Sequence, residues 1–285
     1  MTSLVPLMVR TFGRTGSTLL MQILGTNERI CFERLYPFEH RYLTYAYNLA
    51  RMPSLPPQMD EQWNNDSMFR CNATAVGCLP YGKLNTIDKE SLAKNLFVSI
   101  WKELSHNIKT TQGLPHSEPC FYAEKVPHQV ADRSNELLNA RSIFLLRDPR
   151  DEMVSIKQFN IKRGFHSFGW TEDDTDVSYA QKMCRNRIKF LHHMMSFTTE
   201  QHRIRFRYED LVLKGPEEVS RLSEWLGLDL DYQSAISDKS VKSRHMTSKS
   251  PAASVERWRA ELSEEVKAIF AKELGDELIQ LGYSI

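Results

Sequence analysis

Paired cysteines, an excess of charge of one sign and long apolar runs are all missing from this 285-residue chain. Each absence excludes a class of protein. The five cysteines, Cys31, Cys71, Cys78, Cys120 and Cys184, are odd in number and scattered, and none forms a C-x-x-C pair. A disulfide framework or a zinc site is therefore not expected, and a reducing cytoplasm fits best. Lys plus Arg number 37 against 36 Asp plus Glu, a formal net charge of +1. A nucleic-acid mantle needs a clear cationic excess, so that class is excluded. No apolar run approaches the roughly 18 residues of a membrane span, and the apolar start has no basic lead of the signal-peptide kind. No His or carboxylate cluster has ligand spacing, so no metal is expected. What remains is an ordinary globular composition, 41% hydrophobic and 26% charged, able to bury a core.

Strands and helices alternate along the chain. Leu4 to Phe12 reads as a buried strand, broken at Gly13 and Gly16 and followed by a helix from Thr18 to Leu24. A second strand spans Phe121 to Lys125, with a helix after Pro127. A third, Ser142 to Leu146, runs into Arg147-Asp148-Pro149, where Asp148 suits a helix N-cap and Pro149 the first helical position. Ile204 to Arg207 is a fourth, followed by a helix from Pro216 to Leu226, and a last helix lies within Val255 to Leu281. Such alternation predicts an α/β fold of three layers, a central parallel sheet flanked by helices. One domain over residues 1–285 is the simplest account, with residues 53–82 and 229–251 as loop excursions. His192 and His193 are expected to pack in a helical core with Phe190 and Phe197. The alternating Arg203, Arg205 and Arg207 suggest a solvated or edge face.

The turn Gly13-Arg14-Thr15-Gly16-Ser17-Thr18 lies between a strand and a helix N-terminus, where α/β sheets hold ligands. Unpaired amides and the helix dipole there favour an anion, and Arg14, Ser17 and Thr18 add donors. A plain strand-to-helix turn would also use glycine. The turn is no Walker A loop: Ser17 stands where the lysine belongs, and Gly13 is two residues too close to Gly16. A second strand-end motif runs from Arg147 to Ser155, with the guanidinium and hydroxyl eight residues apart. Two such anion sites suggest a ligand with phosphates at both ends.

With these residues in place, the chain resembles the sulfotransferases that use 3'-phosphoadenosine-5'-phosphosulfate (PAPS). Arg14-Thr15-Gly16-Ser17-Thr18-Leu19-Leu20 is similar to that family's 5'-phosphosulfate loop, and Ile143 through Ser155 to its 3'-phosphate motif. Glu124-Lys125-Val126-Pro127 resembles the K-T-P segment, and Tyr208-Glu209-Asp210-Leu211 the Y-E-D-L segment whose tyrosine lies near the adenine. Trp258 with Leu262, and the ending Leu281-Gly282-Tyr283, also resemble family features. The ordered set spans nearly the whole chain. Leu19 departs from the stacking Trp of the cytosolic animal branch, and residues 244–251 have no R-K-G, leaving Arg244, Ser248 and Lys249 as candidates for the 3'-phosphate cap. Arg14, in place of lysine, looks more like the carbohydrate, tyrosyl-protein and bacterial branches.

The resemblance implies a P-loop-NTPase-like sulfotransferase fold. It also implies in-line transfer of a sulfonate from PAPS to a hydroxyl of a small-molecule or carbohydrate acceptor, with an amine as the lesser alternative, and release of adenosine 3',5'-bisphosphate (PAP). The cofactor residues would be Arg14, Thr15, Gly16, Ser17, Thr18, Arg147, Ser155, Tyr208, Ser248, Lys249 and Trp258. Arg14 and Lys125 would stabilise leaving-group charge. Glu33, beside Phe32 and Tyr36, is the first candidate base; a salt bridge with Arg29 or Arg34 is the competing structural role. His128 is the second candidate base. Glu39 and His40 rank third, as acceptor-pocket or surface groups, and Tyr42, Tyr45, Tyr47 and Trp63 are candidate acceptor aromatics. The alternatives are a nucleotide-dependent kinase and a non-catalytic nucleotide-binding protein of the same fold.

Overall fold

Four consecutive buried residues, Pro6 to Val9, sit in the first strand, β1 (Val5–Arg10), as expected where both faces of a strand are covered. The computed structural model describes residues 3–35, 37–54, 88–237 and 247–285. Tyr36, Trp63, Cys71, Cys78 and Arg244 lie outside them, as do residues 55–82 and 238–246 of the two expected excursions. After β1 come α1 (Ser17–Leu24), β2 (Ile30–Cys31), α2 (Tyr42–Arg51), α3 (Lys89–Gln112), β3 (Phe121–Lys125) and α4 (His128–Leu137). Then follow β4 (Arg141–Leu146), α5 (Pro149–Arg163), α6 (Asp176–Met195), β5 (Arg203–Arg207), α7 (Tyr208–Leu213) and α8 (Gly215–Leu226). The last elements are α9 (Tyr232–Ser237), α10 (Trp258–Glu261) and α11 (Glu264–Gln280). The strands form one five-stranded parallel sheet in the order β2-β3-β1-β4-β5, so the expected α/β class holds. Arg203, Arg205 and Arg207 fall on its edge strand β5.

By chain contacts the protein divides into two compact units. The first, Met1–Arg10 with Asn27–Ile143, holds β1 to α4 except α1. There β1 pairs parallel with β3 from Val5↔Phe121 to Val9↔Lys125, and β2 joins β3 at Ile30↔Phe121 and Cys31↔Tyr122. Its core gathers Met8, Leu43, Phe97, Trp101, Tyr122 and Val130. The Trp101 indole N–H donates to Leu4 O at 3.0 Å, so the one polar atom of the ring is satisfied. Asp88 caps α3 by accepting from Ser91 N, and Gly113, at φ 64°, ends it.

The second unit, Thr11–Thr26 with Phe144–Ile285, packs α6 and α11 around Phe144, Met153, Tyr179, Met183, Phe270 and Leu274. Asp148 caps α5 as the sequence predicts, accepting from Arg150 N at 2.9 Å, and Pro149 opens the helix. The same carboxylate holds the Arg150 guanidinium through Nε and Nη2 at 2.9 and 2.7 Å, and the guanidinium lies 3.7 Å from the centre of the Trp258 ring. Asp151 accepts from the amides of Glu256 and Trp258 at 2.6 and 2.9 Å; burial raises its pKa to about 6. Two expectations are corrected here. Residues 232–237, inside the expected excursion, form α9. On α6, Leu191 and Met194 take the core while His192 and His193 are exposed, His192 pairing with Glu277 at 2.7 Å.

Because Asp148 both caps α5 and neutralises a guanidinium that is only 2% exposed, Asp148→Ala strands a buried charge. Urea unfolding should show a loss of about 3–5 kcal/mol; a loss under about 1 kcal/mol would mean that Arg150 finds other partners.

Candidate active site

The second unit contains a cavity of about 340 Å³ that begins at the glycine turn. Two backbone features shape that turn. Gly16, the N-cap of α1, has φ 92°, and a Cβ there would stand 2.1 Å from Cδ2 of Tyr208, so only glycine fits. Arg14 is itself left-handed at φ 67°, and its Nε donates to Ser155 Oγ at 3.1 Å. The two anion motifs of the sequence thus meet at one hydrogen bond. Arg14 also lies over the Phe159 ring, 4.5 Å from its centre.

Arg147, 6% exposed, donates to Arg14 O and to Ser254 O, each at 2.8 Å. Its guanidinium carbon is 4.7 Å from the centre of the Tyr208 ring, whose hydroxyl pairs with Ser254 Oγ at 2.8 Å. The Arg147 Nε is buried with no hydrogen-bond partner among the described residues. A charged donor left so is costly unless an acceptor is supplied. Behind it, Glu209 accepts from Asp148 N at 2.9 Å, and burial raises its pKa to about 7.

Apolar groups also line the cavity: Leu19, Val212, Tyr232, Ala235 and Ile236. Thr247 and Ser248 add hydroxyls, that of Thr247 lying 3.4 Å from Ser155 Oγ. Tyr232, Ala235 and Ile236 were missed from sequence because they sit in a segment read as an excursion. Their i, i+3, i+4 spacing was the available signal.

The expected cofactor residues separate into groups. Arg14, Gly16, Thr18, Arg147, Ser155, Tyr208 and Ser248 line this cavity. Thr15 does not: its buried hydroxyl donates to Phe12 O at 2.8 Å and stiffens the turn. Ser17 opens α1 without lining the cavity. Lys249 lines a second cavity of about 620 Å³ with Lys162 and Arg257, which shares Thr247 and Ser248 with the first. Trp258 is buried under Arg150 in the core of the unit, away from the cavity lining.

The first unit holds the candidate bases. Glu33 Oε2 is 2.6 Å from His40 Nε2, and Oε1 accepts from Leu35 N at 2.7 Å. The competing arginines are engaged elsewhere: Arg29 pairs with Glu118 at 3.0 Å, and Arg34 lies over Phe32 and donates to Ile30 O. Lys125 meets Glu39 at 3.4 Å and Pro37 O at 3.3 Å; burial lowers its pKa, with Glu39 opposing. His128, largely exposed at the start of α4, pairs with Asp132 at 2.6 Å. His40 is held by β3, since its carbonyl accepts from the Tyr122 hydroxyl. On the same strand Glu124, quoted only as part of a motif in the sequence, accepts from Leu43 N, Thr44 N and Thr44 Oγ1 and so caps α2. Among the described residues no group of three or more His, Cys, Asp or Glu could hold a metal, and no helix is long and apolar enough to cross a membrane.

Residues 6–232 match the model of the sulfotransferase family, and the chain belongs to that family. A sequence search of curated proteins returned no match. Among solved structures, the chain is similar to the sulfotransferase domain of the olefin synthase of Synechococcus PCC 7002. The TM-score is 0.50 at 15% identity, covering 100% of this chain and 97% of that one. It is also similar to the sulfotransferase domain from the curacin biosynthetic pathway (TM-score 0.46, 17% identity, 100% of both chains). A third similar structure is retinol dehydratase in complex with androsterone and inactive cofactor PAP (TM-score 0.49, 13% identity, 98% and 82% covered).

Glu124 generates a pH prediction. Burial raises its pKa from 4.5 to about 7, so the folded chain holds a proton that the unfolded chain gives up. Its contribution to stability is full below pH 4.5 and is lost as pH rises through about 7. Glu124→Gln should therefore flatten the fall in unfolding free energy between those limits. Parallel slopes for both proteins in pH-resolved urea titrations would refute this.

Proposed function

We propose that the chain is a PAPS-dependent sulfotransferase that moves a sulfonate to an acceptor hydroxyl and releases PAP. The observation that carries the reading is the buried Nε of Arg147, without a hydrogen-bond partner among the described residues, in a cavity that also presents Arg14, Gly16 and Ser155. A nucleotide with phosphate at both its 5' and 3' positions fits these residues. The N-terminus of α1 with Arg14 would hold the 5' end, Arg147 with Ser155 and Ser248 the 3'-phosphate, and Leu19, Val212, Tyr232 and Ile236 the base. When bound, PAPS supplies an activated sulfonate: the acceptor oxygen bonds to sulfur while the sulfur–oxygen bond to the 5'-phosphate breaks, its electron pair staying on the phosphate.

The residues have three tasks. Arg14 and the helix dipole offset the charge gathering on the phosphate. Glu33 takes the acceptor proton, with His40 and Leu35 N orienting its two oxygens. Lys125 adds a second cation. The family match spans residues of both units, which supports reading residues 1–285 as one functional domain. Cys31, Cys120 and Cys184 are free thiols, which supports a cytoplasmic setting.

Calorimetry with PAP and 5'-AMP tests the carrying observation. Arg147→Ala should weaken PAP by about ten- to a hundredfold, as loss of charge-assisted bonds does, and 5'-AMP far less; equal losses would sink the assignment. Glu33→Gln should keep PAP affinity while lowering kcat by at least about a hundredfold. An unchanged kcat would transfer the base role to His128.

A further inference from the structure

The hydroxyl of Ser155, a residue 2% exposed on α5, meets two groups. Arg14 Nε donates to it at 3.1 Å, and Thr247 Oγ1 lies 3.4 Å away. The Thr247 hydroxyl in turn accepts from Arg257 Nη1 at 3.4 Å. Arg257, the N-cap of α10, is gripped by Glu261: its Nε and Nη2 donate to the two carboxylate oxygens at 2.7 and 3.1 Å. A two-point grip fixes the plane of a guanidinium, and here it leaves Nη1 on Thr247. Gln158, one turn along α5 from Ser155, reaches Glu261 Oε2 at 3.5 Å. Both ends of this chain of polar groups therefore stand on α5.

Donor and acceptor chemistry decides how the protons lie. A guanidinium only donates, so Ser155 and Thr247 each spend a lone pair on an arginine. Their own O–H groups have only each other to meet, and one contact uses only one of the two protons. Among the described residues neither hydroxyl has a further acceptor. Both side chains line the cavity that begins at the glycine turn, and a buried hydroxyl without an acceptor is costly. A phosphate there offers several oxygens, so both hydroxyls can turn their protons to it. Each then donates with a guanidinium behind its oxygen, which strengthens the bond. The contact between the hydroxyls is long, and contacts of this kind rearrange and tighten when the charged ligand arrives.

We infer that Thr247 donates to the 3'-phosphate and sets the preference for a nucleotide that carries one, and that Arg257 is a positioning residue acting through Thr247. The inference rests on the reading of Arg147 and Ser155 as the 3'-phosphate site. Neither residue belongs to a motif legible in the sequence. Thr247 stands two positions before Lys249, the expected cap, which does not line this cavity. Arg257 lines only the second cavity, on the far side of Thr247, and so reaches the nucleotide through that hydroxyl alone.

Calorimetry on the full chain with PAP and 5'-AMP, which differ in the 3'-phosphate, tests both roles. Thr247→Val should weaken PAP by about tenfold and 5'-AMP by less than about twofold, as loss of one bond to a charged group does. Thr247→Ser, which keeps the hydroxyl, should stay within about twofold of the parent for both nucleotides. Arg257→Met, which keeps the apolar stem and removes the donors, should repeat the roughly tenfold loss on PAP alone. The double variant should lose no more than either single one, since both remove the same interaction. Should Arg257→Met fail to fold, Arg257→Gln, too short to reach Thr247, takes its place in the cycle. A PAP affinity untouched by Thr247→Val, equal losses for the two nucleotides, or a loss of about a hundredfold in the double variant would each overturn the inference. With PAP still bound by the parent chain, those results leave the cofactor reading standing. A parent chain that does not bind PAP would instead bring down the sulfotransferase reading itself.

Discussion

Arg147 is where the second unit is tied together. A guanidinium taken out of water needs acceptors or a π face, and this one draws them from three separate stretches of chain. It takes the carbonyl of Arg14 on the glycine turn, the carbonyl of Ser254 in the C-terminal segment, and the ring of Tyr208 at the start of α7. The turn thereby adopts its left-handed path at Arg14 and Gly16, and the C-terminal segment closes against Tyr208. Among the described residues its Nε has no hydrogen-bond partner. The neighbouring Arg14–Ser155 bond joins the glycine turn to α5.

A second layer of buried polar groups keeps Arg147 in place. Asp148 neutralises Arg150, Glu209 accepts the Asp148 amide, and Asp151 accepts two amides from the segment leading to α10. Asp151 and Glu209 are pushed toward neutrality by burial, which lessens the repulsion among three carboxylates in one region. In the first unit β3 has the equivalent task. Tyr122 and Glu124 hold the stretch from His40 to Thr44 by its backbone, and His40 in turn meets Glu33. In both units the groups proposed to do chemistry are held by buried residues that do none themselves.

The elements and the donor turn were legible in the chain because they depend on neighbours close in sequence. β1, the Asp148-Pro149 helix start and the Gly16 turn follow from runs of apolar residues, from capping chemistry and from a conformation that only glycine adopts without strain. Trp258 shows where such reading ends. Its motif position suggested nucleotide contact, yet the ring is buried beneath Arg150, since its amide is anchored by Asp151 more than a hundred positions earlier in the chain. Lys249 lines only the second cavity, whereas its neighbour Ser248 lines both. His192 and His193 face solvent because the helical phase gives the buried positions to Leu191 and Met194.

By itself the sequence determined the α/β alternation and the two strand-end motifs, set by local backbone preference and residue type, while the carboxylate proposed as base came from the family resemblance. Tertiary structure alone decided which of those residues share a cavity, that α9 supplies part of its apolar lining, and that Glu33 faces His40 rather than Arg29 or Arg34. The reason is physical: hydrogen-bond partners and burial are properties of residues brought close by folding, and no spacing along the chain records which of several available partners a buried charge will take.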